Sequence, residues 1–242
     1  MTPGGQPPAT APTSPAFVAT ACALMALVSL SIDAILPGLE SLAADLGVAD
    51  GNRRQWVITA LFLGLACGQL IYGPMSDSIG RRKAILLGVA VFSAGSLVSA
   101  TAQSFEAMLV GRVIQGLGVA GPRTVTVAMI RDRFEGAAMA RLMSVIMTVF
   151  IMVPVLAPGL GQLVLLVAGW RVLFLFVMAF AWAAAAALVL LVPERKISRP
   201  PFNLRDTWIG ATAILTHRRS MAVTVAGGCI YGALMGYVNS SE

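Results

Sequence analysis

Seven apolar stretches dominate this sequence, and each is long enough to cross a lipid bilayer as a helix. A helix needs about 20 mostly apolar residues to span the hydrocarbon core. Of the 242 residues, 57% are hydrophobic and 12% are charged, whereas soluble domains average about 25% charged residues. The sequence therefore predicts an all-α, polytopic membrane protein and excludes an ordinary soluble enzyme. The stretches lie at 17–37, 56–75, 84–102, 107–130, 143–167, 171–192 and 221–238.

The spacing of these stretches divides the chain into four segments. Residues 1–16 are rich in Pro, Gly and Thr, carry no charged side chain and are predicted to be disordered, and no basic segment suggests a signal peptide. The six stretches within 17–192 are predicted to form a compact bundle. Residues 193–220 are predicted to be a cytoplasmic linker with an interfacial amphipathic helix. Residues 221–242 hold the seventh transmembrane helix.

The distribution of Lys and Arg predicts the orientation in the membrane, because cytoplasmic loops carry an excess of these residues. The loops after the second, fourth and sixth stretches hold twelve of the 17, and the opposite loops hold three. We therefore expect a multi-pass protein of the inner (plasma) membrane with a cytoplasmic N-terminus. The basic residues lie in short clusters between apolar stretches rather than with aromatic residues on one face, so no nucleic-acid partner is expected.

Residue types that support metal, redox or nucleotide chemistry are scarce. Cys22, Cys67 and Cys229 lie inside apolar stretches and form no CxxC pair, and His217 is the single histidine. We expect no disulfide, metal site, cofactor or catalytic residue, and the cysteines are interpreted as small apolar packing residues. The sequence contains no GxxxxGK[ST] loop, so any transport is expected to use an ion gradient.

The loop after the second stretch contains residues that hydrophobicity does not explain. Gly73 is predicted to permit close approach of a neighbouring helix, and Gly80 to adopt a positive φ in a tight reversal. Asp77 can accept backbone N–H groups or face the positive end of a helix. Arg81 and Arg82 are predicted to hold the loop at the cytoplasmic face. The simpler alternative is a charged turn between two spans.

The pattern Gly-x-Met-x-Asp-x-x-Gly-Arg-Arg over residues 73–82 resembles the loop signature of major facilitator superfamily transporters, with Met75 where that family has Leu. The fourth stretch adds Leu-x-x-Arg-x-x-Gln-Gly-x-Gly over 109–118. In the fifth stretch, Pro158 and Gly161 match the antiporter motif of drug-exporting members, and Pro154 precedes them. Ala157 and Gln162 stand where that motif has glycines, so this match is partial.

Three further segments are similar to the bicyclomycin-resistance (Bcr/CflA) branch of drug:proton antiporters. They are Ile32-Asp33-x-x-Leu36-Pro37, Arg131-Asp132 and Gly169-Trp170-Arg171. The resemblance implies a proton-coupled exporter of drugs or small amphipathic molecules that works by alternating access. It also implies two six-helix halves with the substrate site between them, of which this chain holds the first half and one more span.

Asp33 and Arg112 are charged residues predicted to lie inside membrane spans, which marks them as functional candidates. At about 1.5 Å per residue they lie at similar depths, roughly 6 Å and 7–8 Å below the outer boundary. They are therefore predicted to be able to form an ion pair if their helices face one cavity. The alternatives are a helix-end acid facing outer water for Asp33 and a lipid-facing, snorkelling side chain for Arg112. The resemblance implicates Arg112 in proton coupling.

Three other polar residues have open interpretations. Gln115 either lines a cavity or hydrogen-bonds across helices. Arg123, after a Gly-Pro pair, is compatible with a binding site, a structural ion pair or cytoplasmic snorkelling. Asp132 either joins Asp77 and Arg81 in a cytoplasmic charge cluster, as the resemblance implies, or is a solvated loop acid.

The predicted partners are a small-molecule substrate, protons, the lipid bilayer and a C-terminal half. We expect the chain to be a truncated transporter. The alternative is an inactive fragment or a half-transporter that needs a partner half. A seven-helix retinal receptor is excluded because both lysines, Lys83 and Lys196, lie in loops.

Overall fold

The structure is a computed structural model that describes residues 14–48, 50–193, 216–218, 221–229 and 233. Over these residues the chain is helical without a strand, which confirms the predicted all-α fold class. The six membrane-length spans correspond to the first six predicted stretches. The helices are α1 (Pro15–Asp33), α2 (Leu39–Asp45), α3 (Gly51–Arg54), α4 (Trp56–Ile79), α5 (Arg81–Ala100), α6 (Phe105–Arg131), α7 (Gly136–Val167) and α8 (Trp170–Leu191).

Several predicted segments lie wholly or mostly outside the described residues. The predicted disordered tail 1–16 is described only from residue 14, and α1 already begins at Pro15. The predicted amphipathic helix within 193–220 lies outside the described residues except at residues 193 and 216–218. Of the seventh stretch, residues 221–229 are helical; they belong to a second compact unit, residues 201–242.

The first stretch is not one continuous helix over 17–37. α1 ends at Asp33, and a 3₁₀ turn at Leu36–Gly38 leads into α2. The cause is Pro37, which has no N–H to donate to the Asp33 carbonyl and whose ring would clash with it in a helix. Asp33 is therefore the last residue of α1, and its side chain is half-buried.

Glycines bring α4, α5 and α6 into backbone contact. A Cβ atom added at Gly116 of α6 would overlap the Leu61 carbonyl oxygen of α4, and one at Gly64 of α4 would overlap the Val113 carbonyl oxygen of α6. On another side of α6, a Cβ at Gly118 would overlap the backbone nitrogen of Phe92 in α5. Small residues permit this close packing in membrane helices. α6 consequently lies at the centre of the bundle.

The two ends of the bundle are named here by the turns that mark them. The Gly80 end contains the α4–α5 turn, the α6–α7 connection and the C-terminus of α8. The Pro37 end contains the 3₁₀ turn, α2, α3 and the N-terminus of α8. Gly80 has φ +99°, which confirms the prediction of a positive φ at this glycine. Gly80 connects α4 to α5 without an intervening loop.

Candidate functional site

Arg112 of α6 lies inside the bundle near the Pro37 end, with 1% of its surface exposed. Its Nη1 and Nη2 atoms each donate to the carbonyl oxygen of Ser31 at 3.1 Å. Nε donates to the Val57 carbonyl oxygen at 3.0 Å, and Nη1 donates to Gln115 Oε1 at 2.7 Å. This burial rules out the alternative in which the arginine faces lipid and snorkels to the interface.

The position of Ser31 explains why its carbonyl can accept two bonds from a cation. Ser31 lies in the last turn of α1, where the final four carbonyl oxygens have no intrahelical N–H partner. These carbonyls also carry the partial negative charge of the helix C-terminus, which a cation stabilises. Arg112 thus caps the end of α1, two residues before Asp33.

Gln115 extends the polar network across the bundle. It is 1% exposed, accepts from Arg112 and donates through Nε2 to Ser96 Oγ of α5 at 2.9 Å. Ser96 donates in turn to the Phe92 carbonyl oxygen at 2.9 Å. Of the two predicted roles for Gln115, the structure shows the hydrogen bond across helices.

The surroundings of this network contain almost no room for solvent. The Phe174 ring of α8 lies 5.7 Å from Arg112 Cζ. The cavity beside Arg112, between Ala34, Leu173 and Phe174, has a volume of only about 10 Å³, roughly enough for one water molecule. The guanidinium therefore interacts with protein carbonyls in place of water.

The predicted ion pair between Asp33 and Arg112 is not formed in this structure. Within the described ranges the ion pairs are Arg81–Asp77, Arg81–Asp132 and Arg171–Asp45. Arg112 donates instead to the carbonyl oxygens of Ser31 and Val57 and to Gln115 Oε1. The Ser31 oxygen is available because the last carbonyls of a helix have no intrahelical N–H partner. Arg112 and Asp33 are connected only through the end of α1, because Arg112 bonds to the carbonyl oxygen of Ser31, two residues before Asp33.

Gly161 of α7 lies against the same end of α1. A Cβ atom added at Gly161 would overlap the carbonyl oxygen of Ala34, the residue after Asp33. Pro158 is half-buried and Pro154 is exposed, and α7 continues through both prolines. The structure therefore brings one of the three antiporter-like residues, Gly161, directly to the candidate site.

At the Gly80 end the predicted contact among Asp77, Arg81 and Asp132 is formed. Arg81 Nε and Nη2 donate to the two oxygens of Asp132 at 2.8 and 3.4 Å, a fork geometry that suits a carboxylate. Arg81 Nη1 lies 2.6 Å from Asp77 Oδ1 and 2.5 Å from Ser76 Oγ. One side chain thus connects the end of α4, the start of α5 and the end of α6.

A double-mutant cycle of Arg81→Ala and Asp132→Asn measures this contact. Both side chains are about a quarter exposed, so we expect a coupling free energy of about 1 kcal/mol, between the values for surface and buried charged pairs. Chemical unfolding in mixed micelles gives the four stabilities. The matched control cycle, Lys83→Ala with Asp132→Asn, should show no coupling because Lys83 is exposed; equal coupling in both cycles would refute the interpretation.

Between α4 and α6, a groove of about 500 Å³ opens toward the Gly80 end. Gly73 lines this groove, and a Cβ atom added there would meet nothing within 4 Å. The prediction that Gly73 permits close helix approach is therefore wrong for the described part of the chain. The close contacts lie earlier in α4, at Gly64 and Gly68, and the two helices separate beyond them.

Arg123 lies on the wall of this groove and is half-buried. Its Cζ lies 5.3 Å from the centre of the Phe150 ring of α7, within cation–π distance. The structure thus places Arg123 in a cavity shared with Gln69 and Thr124. A binding role for Arg123 stays a prediction.

Two groups of contacts were not predicted from the sequence. Arg82, expected only to anchor the loop, lies against backbone oxygens at the end of α8. At the Pro37 end, Asp45 of α2 accepts from Trp170 Nε1 at 2.9 Å and from Arg171 Nη1 at 3.2 Å. The Gly-Trp-Arg segment resembles the family's sequences, but nothing in the sequence indicates that Asp45 is its acidic partner.

Comparison with known proteins identifies the family of this chain. The sequence model of the Major Facilitator Superfamily matches residues 21–241. The chain belongs to this family. It is therefore a member of a family of membrane transporters rather than of enzymes, as the sequence predicted.

The chain is similar to two kinds of drug-resistance protein. It is 29% identical to a bicyclomycin resistance protein homolog of Haemophilus influenzae, covering 93% of this chain and 57% of that protein. It is 30% identical to the multidrug resistance protein MdtL of Klebsiella pneumoniae, covering 76% of this chain and 47% of that protein. The chain spans about half the length of the curated relatives it matches.

Solved structures show the same fold. The human organic anion transporter MFSD10 (TETRAN) superposes with a TM-score of 0.61 at 23% identity, covering 81% of this chain and 53% of that one. The proton:xylose symporter XylE superposes with a TM-score of 0.66 at 17% identity, covering 74% and 44%. These likenesses support the fold of the bundle.

Proposed function

We propose that this chain supplies the N-terminal half of a proton-coupled exporter of drugs or small amphipathic molecules, which works by alternating access. Family membership and the drug-resistance relatives support export of small molecules. The alignment with roughly the first half of those relatives supports a role as one of two halves. In transporters of this architecture the substrate site lies between the halves near the bilayer midplane.

The observation that carries the proposal is the burial of Arg112 on the end of the helix that bears Asp33. A carboxylate at a helix C-terminus faces the negative end of the dipole, so a nearby cation is needed to favour its charged form. In this structure Arg112 bonds to the Ser31 carbonyl and does not pair with Asp33. We interpret this arrangement as the one suited to a protonated Asp33.

Loss of the proton from Asp33 then causes a local rearrangement. When Asp33 loses its proton, its carboxylate attracts the guanidinium, and Arg112 exchanges a carbonyl bond at α1 for a charge-assisted bond. Gly161 of α7 lies against the next residue, Ala34, without an intervening side chain. Movement of the end of α1 is therefore transmitted to α7.

We further propose an orientation in the inner membrane with the Gly80 end in the cytoplasm. In the sequence, the predicted loops after the second, fourth and sixth stretches hold twelve basic residues and the opposite loops hold three, which supports this orientation. Asp33 and Arg112 then lie near the outer face, and the Asp77–Arg81–Asp132 contact lies at the cytoplasmic face. The groove with Arg123 opens toward the cytoplasm, where an exported substrate enters.

Accumulation of a fluorescent cationic dye tests the function in cells. Cells that express this chain together with its second half should accumulate less dye than cells with an empty vector, and a protonophore should abolish the difference. Unchanged accumulation for every dye and drug in a panel would contradict export.

The role as one half is tested separately by expressing residues 1–242 alone. We expect no export from this chain by itself, and native gel electrophoresis should show a larger complex when the second half is co-expressed. Robust export by residues 1–242 alone would refute the half-transporter proposal. A chain that forms no complex with a second half would support the inactive fragment.

A further inference from the structure

The C-terminal end of α8 is held by a side chain from the start of α5. Arg82 Nη2 lies 3.2 Å from the carbonyl oxygen of Leu188 and 3.3 Å from that of Val192, and it also contacts the carbonyl oxygen of Val189. α8 ends at Leu191, so these oxygens belong to the part of a helix that lacks intrahelical N–H partners. A guanidinium there satisfies the oxygens and stabilises the negative end of the helix dipole.

A second arginine, from the α6–α7 connection, holds the next residue of the chain. Arg133 Nη2 donates to the Pro193 carbonyl oxygen at 2.8 Å. The Arg133 guanidinium also lies 4.8 Å from the centre of the Phe17 ring of α1, and Phe17 packs on Phe134 with ring centroids 5.8 Å apart. Side chains from two separate elements thus contact backbone oxygens within residues 188–193.

Each of these arginines is the direct neighbour of a residue in the charge cluster. Arg82 follows Arg81, and Arg133 follows Asp132, while Arg81 and Asp132 form the fork-shaped ion pair. We propose that Arg82 and Arg133 form a clamp on residues 188–193, here called the α8 clamp, and that the Arg81–Asp132 ion pair keeps this clamp closed. Arg82 and Arg133 are positioning residues that act on the backbone of α8.

The clamp makes the order of the last turn of α8 depend on the distance between α5 and α6. The ion pair fixes the distance between the start of α5 and the end of α6, and this distance sets whether both clamp arginines can reach the end of α8 together. When the ion pair opens, at least one arginine leaves its carbonyl oxygens and the last turn of α8 loosens. The clamp acts on the protein's own backbone and does not depend on the proposed substrate or on proton coupling.

Hydrogen–deuterium exchange of the purified protein in detergent tests the clamp. Arg82→Ala and Arg133→Ala should each speed amide exchange at the end of α8, within 188–192, by about tenfold, as expected for loss of a charge-assisted helix cap. Arg82→Lys should give a smaller increase than Arg82→Ala, because lysine keeps the positive charge near the end of α8 but ends in a point charge on a different stem instead of the planar guanidinium. The matched control Lys83→Ala, at an exposed neighbouring side chain, should leave exchange unchanged.

A variant in the ion pair tests the coupling. Arg81 bonds to Ser76, Asp77 and Asp132, and within the described residues no bond from Arg81 to α8 is present. Arg81→Ala should nevertheless speed exchange at the end of α8 several-fold, while the middle of α8, residues 174–185, stays protected. Exchange equal to that of Lys83→Ala in Arg82→Ala and Arg133→Ala would overturn the clamp.

An unchanged end of α8 in Arg81→Ala would overturn the coupling between the ion pair and the clamp. An equal rise over residues 174–185 in any of these variants would indicate general unfolding of α8 and would likewise contradict a local clamp. Arg82→Lys, which keeps the charge, allows the measurement even where Arg82→Ala does not fold.

Discussion

Arg112→Met abolishes most of the transport while the bundle remains folded. Methionine fills much of the same space but leaves the Ser31, Val57 and Gln115 oxygens without their donor, so we expect a loss of stability of about 1–3 kcal/mol with the fold retained. The variant leaves the Ser31 carbonyl without its cation and Asp33 without a charge to attract. We expect the initial rate of proton-dependent dye efflux to fall at least about tenfold, because a charge-assisted interaction contributes more than 1.4 kcal/mol.

Two further variants separate the role of the charge from that of the shape. Arg112→Lys keeps the charge but cannot bond to Ser31, Val57 and Gln115 with one planar fork, so its efflux rate should lie between those of the wild type and Arg112→Met. Arg53→Met removes an exposed arginine at the same end of the bundle and serves as the matched control. Efflux by Arg112→Met at the rate of Arg53→Met would show that the buried guanidinium has no part in transport.

Gly116→Ala has the second large expected effect, and it acts on folding. The added Cβ atom would overlap the Leu61 carbonyl oxygen and lie 2.8 Å from the Leu65 nitrogen, both backbone atoms that no rotamer change can move. Overpacking a tight core costs about 1–3 kcal/mol or more, so we expect a loss of about 3 kcal/mol and a strong decrease in folded yield. Unfolding in mixed micelles and size-exclusion chromatography measure both.

Gly159→Ala is the matched control for this prediction. It also places a methyl group on a helical glycine, but at Gly159 of α7 a Cβ atom would meet nothing within 4 Å. Since alanine favours a helix over glycine by about 1 kcal/mol, this variant should be as stable as the wild type or slightly more stable. Equal stability of Gly116→Ala and Gly159→Ala would contradict the close α4–α6 packing.

Much of the fold follows from the sequence through length and hydrophobicity. The six apolar stretches predict the six spans because the bilayer sets a minimum helix length. Pro37 also determines the end of α1 at Asp33, and this signal in the sequence argues against a first helix that extends to residue 37. The positive φ at Gly80 followed from a reversal too short for other residues.

The contacts of the arginines could not be predicted in the same way. Arg112 and Arg82 bond mainly to backbone carbonyl oxygens, and every residue type carries such an oxygen, so the sequence contains no sign of the partner. For this reason the sequence did not indicate that Arg112 bonds to carbonyl oxygens in this structure instead of forming the possible pair with Asp33. Gly73 shows a related limit: a glycine in a span indicates room for a neighbour, but not whether a helix or a cavity uses that room.

Proton release from energised, inside-out membrane vesicles tests the central claim most directly, because it asks whether Asp33 carries the coupled proton. In vesicles that contain the transporter with both halves, adding substrate should discharge the pH gradient, as a pH-sensitive dye reports. Asp33→Asn should abolish this discharge, and Glu40→Gln, at an exposed acid of the nearby α2, should leave it intact. Full substrate-driven discharge in Asp33→Asn vesicles would contradict the account.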